Sequence, residues 1–585
     1  MQSICSSEKD SVVSLFPSSH SSSMASLLSD DTNILLSEKL KDWALNHRCS
    51  RQCVNDVLGI FIDLGYSVPK DSRTLLNKQR DVNVVSLGEG SYIYIGVEKS
   101  IRKQLDFSDS FTGNIDLKVN IDGLPLFKSS SLQLLPILIQ FGPFQPIGVA
   151  FYCGRKKPPV REFLKDFVDE MDSLTINGIL VDGTKMNVKI FCFTCDAPAR
   201  SLLKGIVQHT GYHSCERCIV RGVSIRNRIV FDKEGSSVKR DDETFRQNGY
   251  SMKDEFSKCH ELNESVLSSL KSVNLVSDFA LDYMHMVCLG VTRRILYYLK
   301  GRFKGIQTGR LSSAFLTELS NQLEQLNGSF PSEFARQPRS MCELDRWKAT
   351  ELRSFLLYSG PVVLRSLLST STWKHFLSLS IAIRILLIED DTVRCGMIDS
   401  ARKLLQYFVY NSNEHYGETF CVYNVHGLLH LSDDVEYFNM PLNHLSAFQF
   451  ENHLQKLKCL IRGKRNPIVQ IAKRSEELDG QYYVKTNITT IINSQTKDSC
   501  FLTKSGLVFV KDVDNYGILR CELYRKSFLQ SFFECFMDSK ELDIYLLKKN
   551  TKPVLCYKEK ADLVKKCVCI PYKTDIVIIP MLQTL

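Results

Sequence analysis

The chain has 585 residues, 44% hydrophobic and 24% charged, which suits a folded globular protein of about three to four structural units rather than one core. Its net charge of +9 and pI near 8.6 are compatible with a nucleic-acid partner without requiring one. The pattern excludes a bilayer-spanning helix. The longest apolar stretch, 132–153, is cut by Gln133, Gln140, Pro143, Gln145 and Pro146, and 376–388 is too short and carries Arg384.

Glu8, Lys9 and Asp10 stand where a secretory signal would need an apolar core, so the 20 cysteines are expected as thiols or metal ligands rather than disulfides. Residues 1–36 are serine-rich and read as a disordered tail. "SEKLKDWALNHR" and "VNDVLGIFIDLGY" predict a helical lead-in over 37–110, with mixed patterning from 81 onward.

The region 111–200 is the most legible. In "NIDLKVNID", Ile115, Leu117, Val119 and Ile121 share one face, and Asp116, Lys118, Asn120 and Asp122 share the other. "LQLLPILIQF" and "PIGVAFYCG" predict two further strands, "PPVREFLKDFVDEMDSL" a helix, and "MNVKIFCFTCD" a fourth strand after a turn at Asp182-Gly183. The order strand, strand, strand, helix, strand predicts an α/β layer. A mainly helical segment follows to about 435, then a Glu-bearing helix within 436–480. "TNITTIINS", "GLVFVKDVD" and "DIVIIPML" predict a β-rich unit over 485–585.

Two of the predicted strands end in an aspartate, Asp122 before Gly123 and Asp196 before Ala197-Pro198. Neighbouring carboxylates repel unless a divalent cation lies between them, and Mg²⁺ suits oxygen ligands. Turn-capping aspartates fit the same spacing. "HLSAFQFENHLQKLKCLIRGKRNP" offers a third acid, Glu451, on a helix begun by a Ser446/Gln449 capping box. Phe450, Leu454, Leu457 and Ile461 form its apolar stripe, and Glu451, Gln455, Lys458 and Arg462 its polar one; a solvated helix face gives the same pattern. Lys456, Lys458, Arg462, Lys464, Arg465, Lys473 and Arg474 are candidates for DNA-backbone contacts. "HTGYHSCERC" places Cys215 and Cys218 at zinc-ligand spacing, with His209, His213 or His285 as candidate completing ligands. Cys192 and Cys195 share that spacing within a strand and face opposite ways. Asp282 and His285 share a helix face, which also fits a helix-terminal Asp beside a satisfied His.

As a set, "VNIDGLPLFKSSS", "FTCDAPARSLLKGIVQHTGYHSCERC", "DFALDYMHMVCLGVTRRIL", "RSMCELDRWKATELRSFLLYSGPVVL", "YNVHGLLHLSDDV" and the Glu451 segment resemble the transposases of CACTA (EnSpm-type) DNA transposons, in the animal transposase domain-containing branch. The resemblance covers about 40–480, and the C-terminal unit looks similar too. It implies an RNase H-like core interrupted by a helical insertion before the Glu. It carries an Asp-Asp-Glu site onto Asp122, Asp196 and Glu451, the CxxC element onto Cys215 and Cys218, and the Asp-x-x-His element onto Asp282 and His285. It further implies two Mg²⁺ or Mn²⁺ ions, DNA ends and a target as partners, a homo-oligomer, and a nuclear location, while Zn²⁺ remains a candidate cofactor read from the CxxC spacing alone. Gly123 is expected to clear room for metal and DNA.

No complete zinc finger or helix-turn-helix for recognising transposon ends is present in the pattern. Two activities are therefore in competition: a DNA transposase that cleaves and joins strands, and a domesticated descendant that binds DNA or protein without cutting. An unrelated RNase H-like nuclease fits the acids but not the CxxC and Asp-x-x-His elements. Should Glu451 point away from the aspartates, Glu436 and Glu414 are the alternatives.

Overall fold

The computed structural model describes residues 30–582 except 48, 77–81, 107–110, 112, 232–237, 256, 304–309 and 478–489. Most of the serine-rich tail lies outside the described residues, but 30–36 belong to the first helix. The chain divides into two units, Met1–Val82 with Val469–Gln481, and Asn83–Ile468 with Tyr482–Leu585. In the first, helices Asp30–Asn46, Arg51–Asp63 and Ser72–Leu75 bury Leu40, Ala44, Val54, Leu58 and Leu75. Ser50 caps the second of these by accepting the N–H of Cys53 at 3.1 Å.

The second unit is built on a mixed eight-stranded sheet. Its early strands are β1 (Val85–Leu87), β2 (Gly90–Tyr94), β3 (Ile115–Ile121), β4 (Leu124–Pro125), β5 (Gln133–Gln140) and β6 (Ile147–Gly154). β7 (Ile179–Val181) and β8 (Thr184–Met186) form a separate hairpin, turned by Asp182 and Gly183 with φ of 48° and 78°. Both φ values are positive, as a two-residue hairpin turn requires. β9 (Val188–Cys195) returns to the main sheet, β10 (Val223–Ile225) and β11 (Arg228–Val230) form a second hairpin, and β12 (Phe279–Leu281) completes the sheet.

The order is β1-β2-β6-β5-β3-β9-β12, with β4 paired to β5. β3, β9 and β12 are parallel neighbours, and β3-β5-β6-β2 pair antiparallel. The alternation in β3 buries Ile115, Leu117, Val119 and Ile121 to 1% exposure or less. They share one core with Phe163, Leu164, Phe167 and Met171 of the predicted helix, Val160–Asn177. The lead-in expected to be helical over 37–110 is corrected here: β1 and β2 lie inside it. β2 is a strand because β6 offers it a pairing edge, a partner that local periodicity does not encode.

From Met284 the chain is mainly helical. Thr370–Leu386 packs against Asp391–Tyr416, and the turn Met284–Thr292 is a π-helix. An eight-stranded antiparallel sheet fills the C-terminal region between Cys500 and Pro580. Its Phe532, Val568 and Val577 enter the same core as the helical segment. The predicted strands in "GLVFVKDVD" and "DIVIIPML" form. Of "TNITTIINS", residues 490–494 make no strand and the rest lie outside the described residues.

Candidate functional site

Three aspartates leave the same end of the three parallel strands. β3 ends at Ile121 and delivers Asp122, β9 ends at Cys195 and delivers Asp196, and β12 ends at Leu281 and delivers Asp282. The first two strands are locked at this end. Asn120 Nδ2 donates to the Thr194 carbonyl at 2.6 Å, and the Ile121 N–H points at Cys195 Sγ at 3.4 Å.

Glu451 arrives on the helix Phe448–Cys459, which buries Phe450, Leu454 and Leu457. The expected Ser446/Gln449 capping box does not form. The N-cap is Ala447, whose N–H donates to Asp282 Oδ1 at 2.8 Å, while Ser446 Oγ accepts the Phe448 N–H at 3.4 Å, so the helix start has one distant and one local acceptor. The helix stops at Cys459, so Arg462 and Ile461 lie past it and the polar stripe is Glu451, Gln455 and Lys458.

Asp122, His285 and Glu451 each present one ligand atom, all within 4.8 Å of one another. His285 Nδ1 lies 2.5 Å from Asp282 Oδ2, and Nε2 lies 3.9 Å from Glu451 Oε1. Asp282 is 1% exposed and also accepts the N–H groups of Met284 and His285 at 3.1 Å. Asp196 stands just outside this trio. It lines a cavity of about 190 Å³ with Asp122, Lys156 and Lys157, and its Oδ1 caps the next helix by accepting the Ala199 N–H at 2.7 Å. The turn-capping reading thus holds for one oxygen of Asp196.

The electrostatics are those of crowded carboxylates around one imidazole. Burial, then the charges of Asp196 and Glu451, push the Asp122 carboxyl up to about 7 against the pull of His285. Burial opposes the His285 imidazolium, but Asp282 and then Asp122 and Asp196 outweigh it and raise the group to about 9. Asp282 is also buried, yet its bond to His285 holds it below the usual carboxylate range.

A second cluster is wholly buried. Cys215, Cys218, His426 and His430 bring two sulfurs and two ring nitrogens together. Cys215 Sγ lies 3.4 Å from Cys218 Sγ and 3.5 Å from His430 Nε2. Cys218 Sγ lies 3.3 Å from His426 Nε2, and the two Nε2 atoms are 3.4 Å apart. Burial works against the Cys215 thiolate, but Cys218 and the backbone N–H groups of Arg217 and Cys218 bring the group below its ordinary value. Burial keeps His426 neutral, the form that ligates metals.

The histidines expected to complete the CxxC element do not do so. His213 Nε2 faces Asp254 at 3.2 Å, His209 packs beside Tyr423, and His285 belongs to the carboxylates. His426 and His430 lie over 200 residues further on, in the helical turns Tyr423–Gly427 and Leu428–His430. Their i, i+4 spacing in "NVHGLLH" was the available signal, since it puts two histidines on one helix face. Cys192 and Cys195 are buried in β9 and join neither cluster.

Among the other expected site residues, Lys458 Nζ donates to the Pro125 carbonyl at 2.5 Å, and burial lowers Lys456. Arg462, Lys464 and Arg465 follow the Glu451 helix. Lys473 and Arg474 fall in the first unit. Glu436 pairs with Arg402 at 2.6 Å and Glu414 sits on Asp391–Tyr416, so neither substitutes for Glu451. A Cβ at Gly123 would meet only Gln133 Oε1 at 3.6 Å, so space does not require the glycine there. Among the described residues, no helix is long and apolar enough to cross a membrane. Compared with known protein families and with characterised proteins, the chain matches none.

Proposed function

We propose that the chain is a transposon-derived DDE transposase that cleaves and joins DNA strands with divalent cations at Asp122, Asp196 and Glu451. The observation that carries this reading is the meeting of Asp122 with Glu451, which enters from a helix on the far side of the helical segment. The parallel strands β3, β9 and β12, with β5 antiparallel between β3 and β6, support an RNase H-like core by carrying Asp122 and Asp196 to the same end of one sheet. The helical segment between β12 and Glu451 corresponds to the insertion.

Mg²⁺ or Mn²⁺ suits the carboxylates, and paired ions there would activate water or a DNA 3′-hydroxyl and stabilise the leaving oxygen. The chain's own part is positional. Asn120 holds β3 to β9, Asp282 fixes the start of the Glu451 helix, and His285 balances the negative charge between Asp122 and Glu451. DNA is the partner this reading implies, and the basic segment after the Glu451 helix would supply backbone contacts.

Zn²⁺ suits the second cluster. With Zn–N of about 2.0–2.1 Å and Zn–S of about 2.3 Å, an ideal tetrahedron has edges of about 3.3–3.8 Å. The N···N separation of 3.4 Å and the S···N separations of 3.3 and 3.5 Å lie close to their edges, and the S···S separation of 3.4 Å is shorter than the about 3.8 Å of two zinc-bound thiolates, so the sulfurs would part slightly on binding. Four protein ligands leave no open position, so this centre is structural.

The deciding experiment is Mn²⁺-dependent nicking of DNA carrying candidate terminal repeats, comparing wild type with Asp196→Asn. Asparagine keeps the helix cap and removes the charge. Loss of nicking in the variant supports the reading. Equal nicking in both, or none in either, overturns it.

A further inference from the structure

We propose that the Cys215/Cys218/His426/His430 centre sets the cation affinity of the carboxylate cluster, and that Glu216 and Arg217 are the positioning residues that transmit it. The inference rests on the two-metal-centre reading above and assigns a role to the pair between the cysteines.

Each residue of this pair reaches, through one buried partner, the last strand residue before a site aspartate. Glu216 Oε1 accepts from Arg200 Nε at 2.9 Å, and Arg200 donates through a terminal nitrogen to the carbonyl of Cys195 at 2.7 Å, the residue before Asp196. Arg217 donates to the carbonyls of Val276 and Phe279, and to both oxygens of Asp434 at 3.0–3.1 Å. Asp434 Oδ2 in turn accepts the N–H of Leu281 at 2.7 Å, the residue before Asp282.

The histidine half of the centre closes both links. Tyr423, three residues before His426, donates its hydroxyl to Glu216 Oε1 at 2.6 Å. Asp434 lies four residues after His430. A third tie is steric. A Cβ at Gly290 of the π-helix would sit 2.5 Å from Asn424 Nδ2, and one at Gly427 would sit 2.7 Å from Met286 Sδ. The Asn424 side chain of the ligand-bearing turn therefore packs on the π-helix at Gly290, and the Met286 side chain of that π-helix, which contains His285, packs on the turn at Gly427.

Arg200, Glu216, Arg217 and Asp434 are all at most 8% exposed. Buried charges tolerate few arrangements, because each needs its partner in place. Ordering the cysteine and histidine segments therefore orders the ends of β9 and β12, and with them Asp196, Asp282 and the helix start at Ala447. Coupling of this kind is reciprocal in binding free energy.

The test uses the full chain and Mn²⁺ as the probe, with bound Mn²⁺ measured by its paramagnetic resonance and zinc content by elemental analysis. Zinc-loaded wild type, zinc-stripped wild type and Tyr423→Phe are compared, with circular dichroism verifying the fold. Tyr423→Phe preserves volume and every buried charge, so it remains informative if stripping unfolds the protein. Expected is one zinc retained in Tyr423→Phe, with Mn²⁺ bound about tenfold more weakly than in wild type. Saturating Mn²⁺ should slow zinc extraction by a chelator from wild type and not from the variant. Equal Mn²⁺ affinity in the loaded, stripped and variant proteins overturns the coupling while leaving both centres standing. A wild type that takes up no zinc overturns the Cys₂His₂ assignment, and one that holds zinc but no Mn²⁺ overturns the carboxylate assignment; the coupling falls with either.

Discussion

The carboxylate of Asp282 accepts the backbone N–H of Ala447 at 2.8 Å, joining the end of β12 to the start of the helix that carries Glu451. The same carboxylate holds His285 Nδ1, so one buried group sets both the helix and the imidazole that face Asp122. Removing one partner of a buried charged pair costs about 3–5 kcal/mol. Asp282→Ala should therefore destabilise the second unit by about 3 kcal/mol, read as a lower denaturant midpoint. Asp282→Asn keeps an acceptor for Ala447 and should lose less stability, yet still weaken Mn²⁺ binding because the site loses a negative charge and the His285 ring loses the carboxylate that orients it.

Metal binding at the carboxylates should release protons. The Asp122 carboxyl is raised to about 7, so at pH 6 it is largely protonated and a bound cation must displace the proton. Apparent Mn²⁺ affinity should climb from pH 6 to about 9, first as Asp122 and then as the neighbouring His285 gives up its proton, seen by calorimetry in buffers of different ionisation heat. Without metal the sign reverses for stability. A carboxyl raised in the folded state binds more protons there than when unfolded, so its contribution falls as pH rises from about 4 to 7. His285, raised to about 9, stabilises fully below about 6.5 and loses that contribution as pH passes 9.

Stripping zinc, or substituting Cys218→Ser or His430→Ala, should remove one equivalent of metal and lower the melting temperature. The four donors have no open position, and structural zinc contributes folding energy directly. His213→Ala should leave the zinc content unchanged, since its ring faces Asp254 instead. Elemental analysis with thermal melts separates these outcomes.

Asp196 has two duties that substitution can divide. Asp196→Ala removes the cap on Ala199 and should cost about 1 kcal/mol of stability as well as activity. Asp196→Asn should keep the stability and lose the activity. Parallel unfolding curves and nicking rates test the pair.

Backbone contacts from the segment after the Glu451 helix should appear in salt dependence. Lys464→Ala and Arg465→Ala should each weaken DNA binding irrespective of sequence and flatten the log–log salt slope by about 0.9. An unchanged slope would remove these residues from the DNA surface.

Local pattern carried much of this architecture. The alternation in 115–121 and 188–195 produced β3 and β9, and the 3.6-residue stripe in 160–171 produced the helix that covers them. It failed where the partner is distant. β2 exists because β6 pairs with it, and the Glu451 helix start is held by the distant Asp282 where the local pattern predicts a capping box with Gln449.

The sequence by itself determined which residue types stand at strand ends and on helix faces, because side-chain period and turn chemistry are local. It thereby singled out Asp122, Asp196, Glu451 and the Cys215/Cys218 pair. Only the tertiary structure decided what each of these meets. It put His285 with the carboxylates and gave the cysteines His426 and His430, because parallel strands and a long helical excursion bring together groups whose spacing along the chain holds no record of their contact.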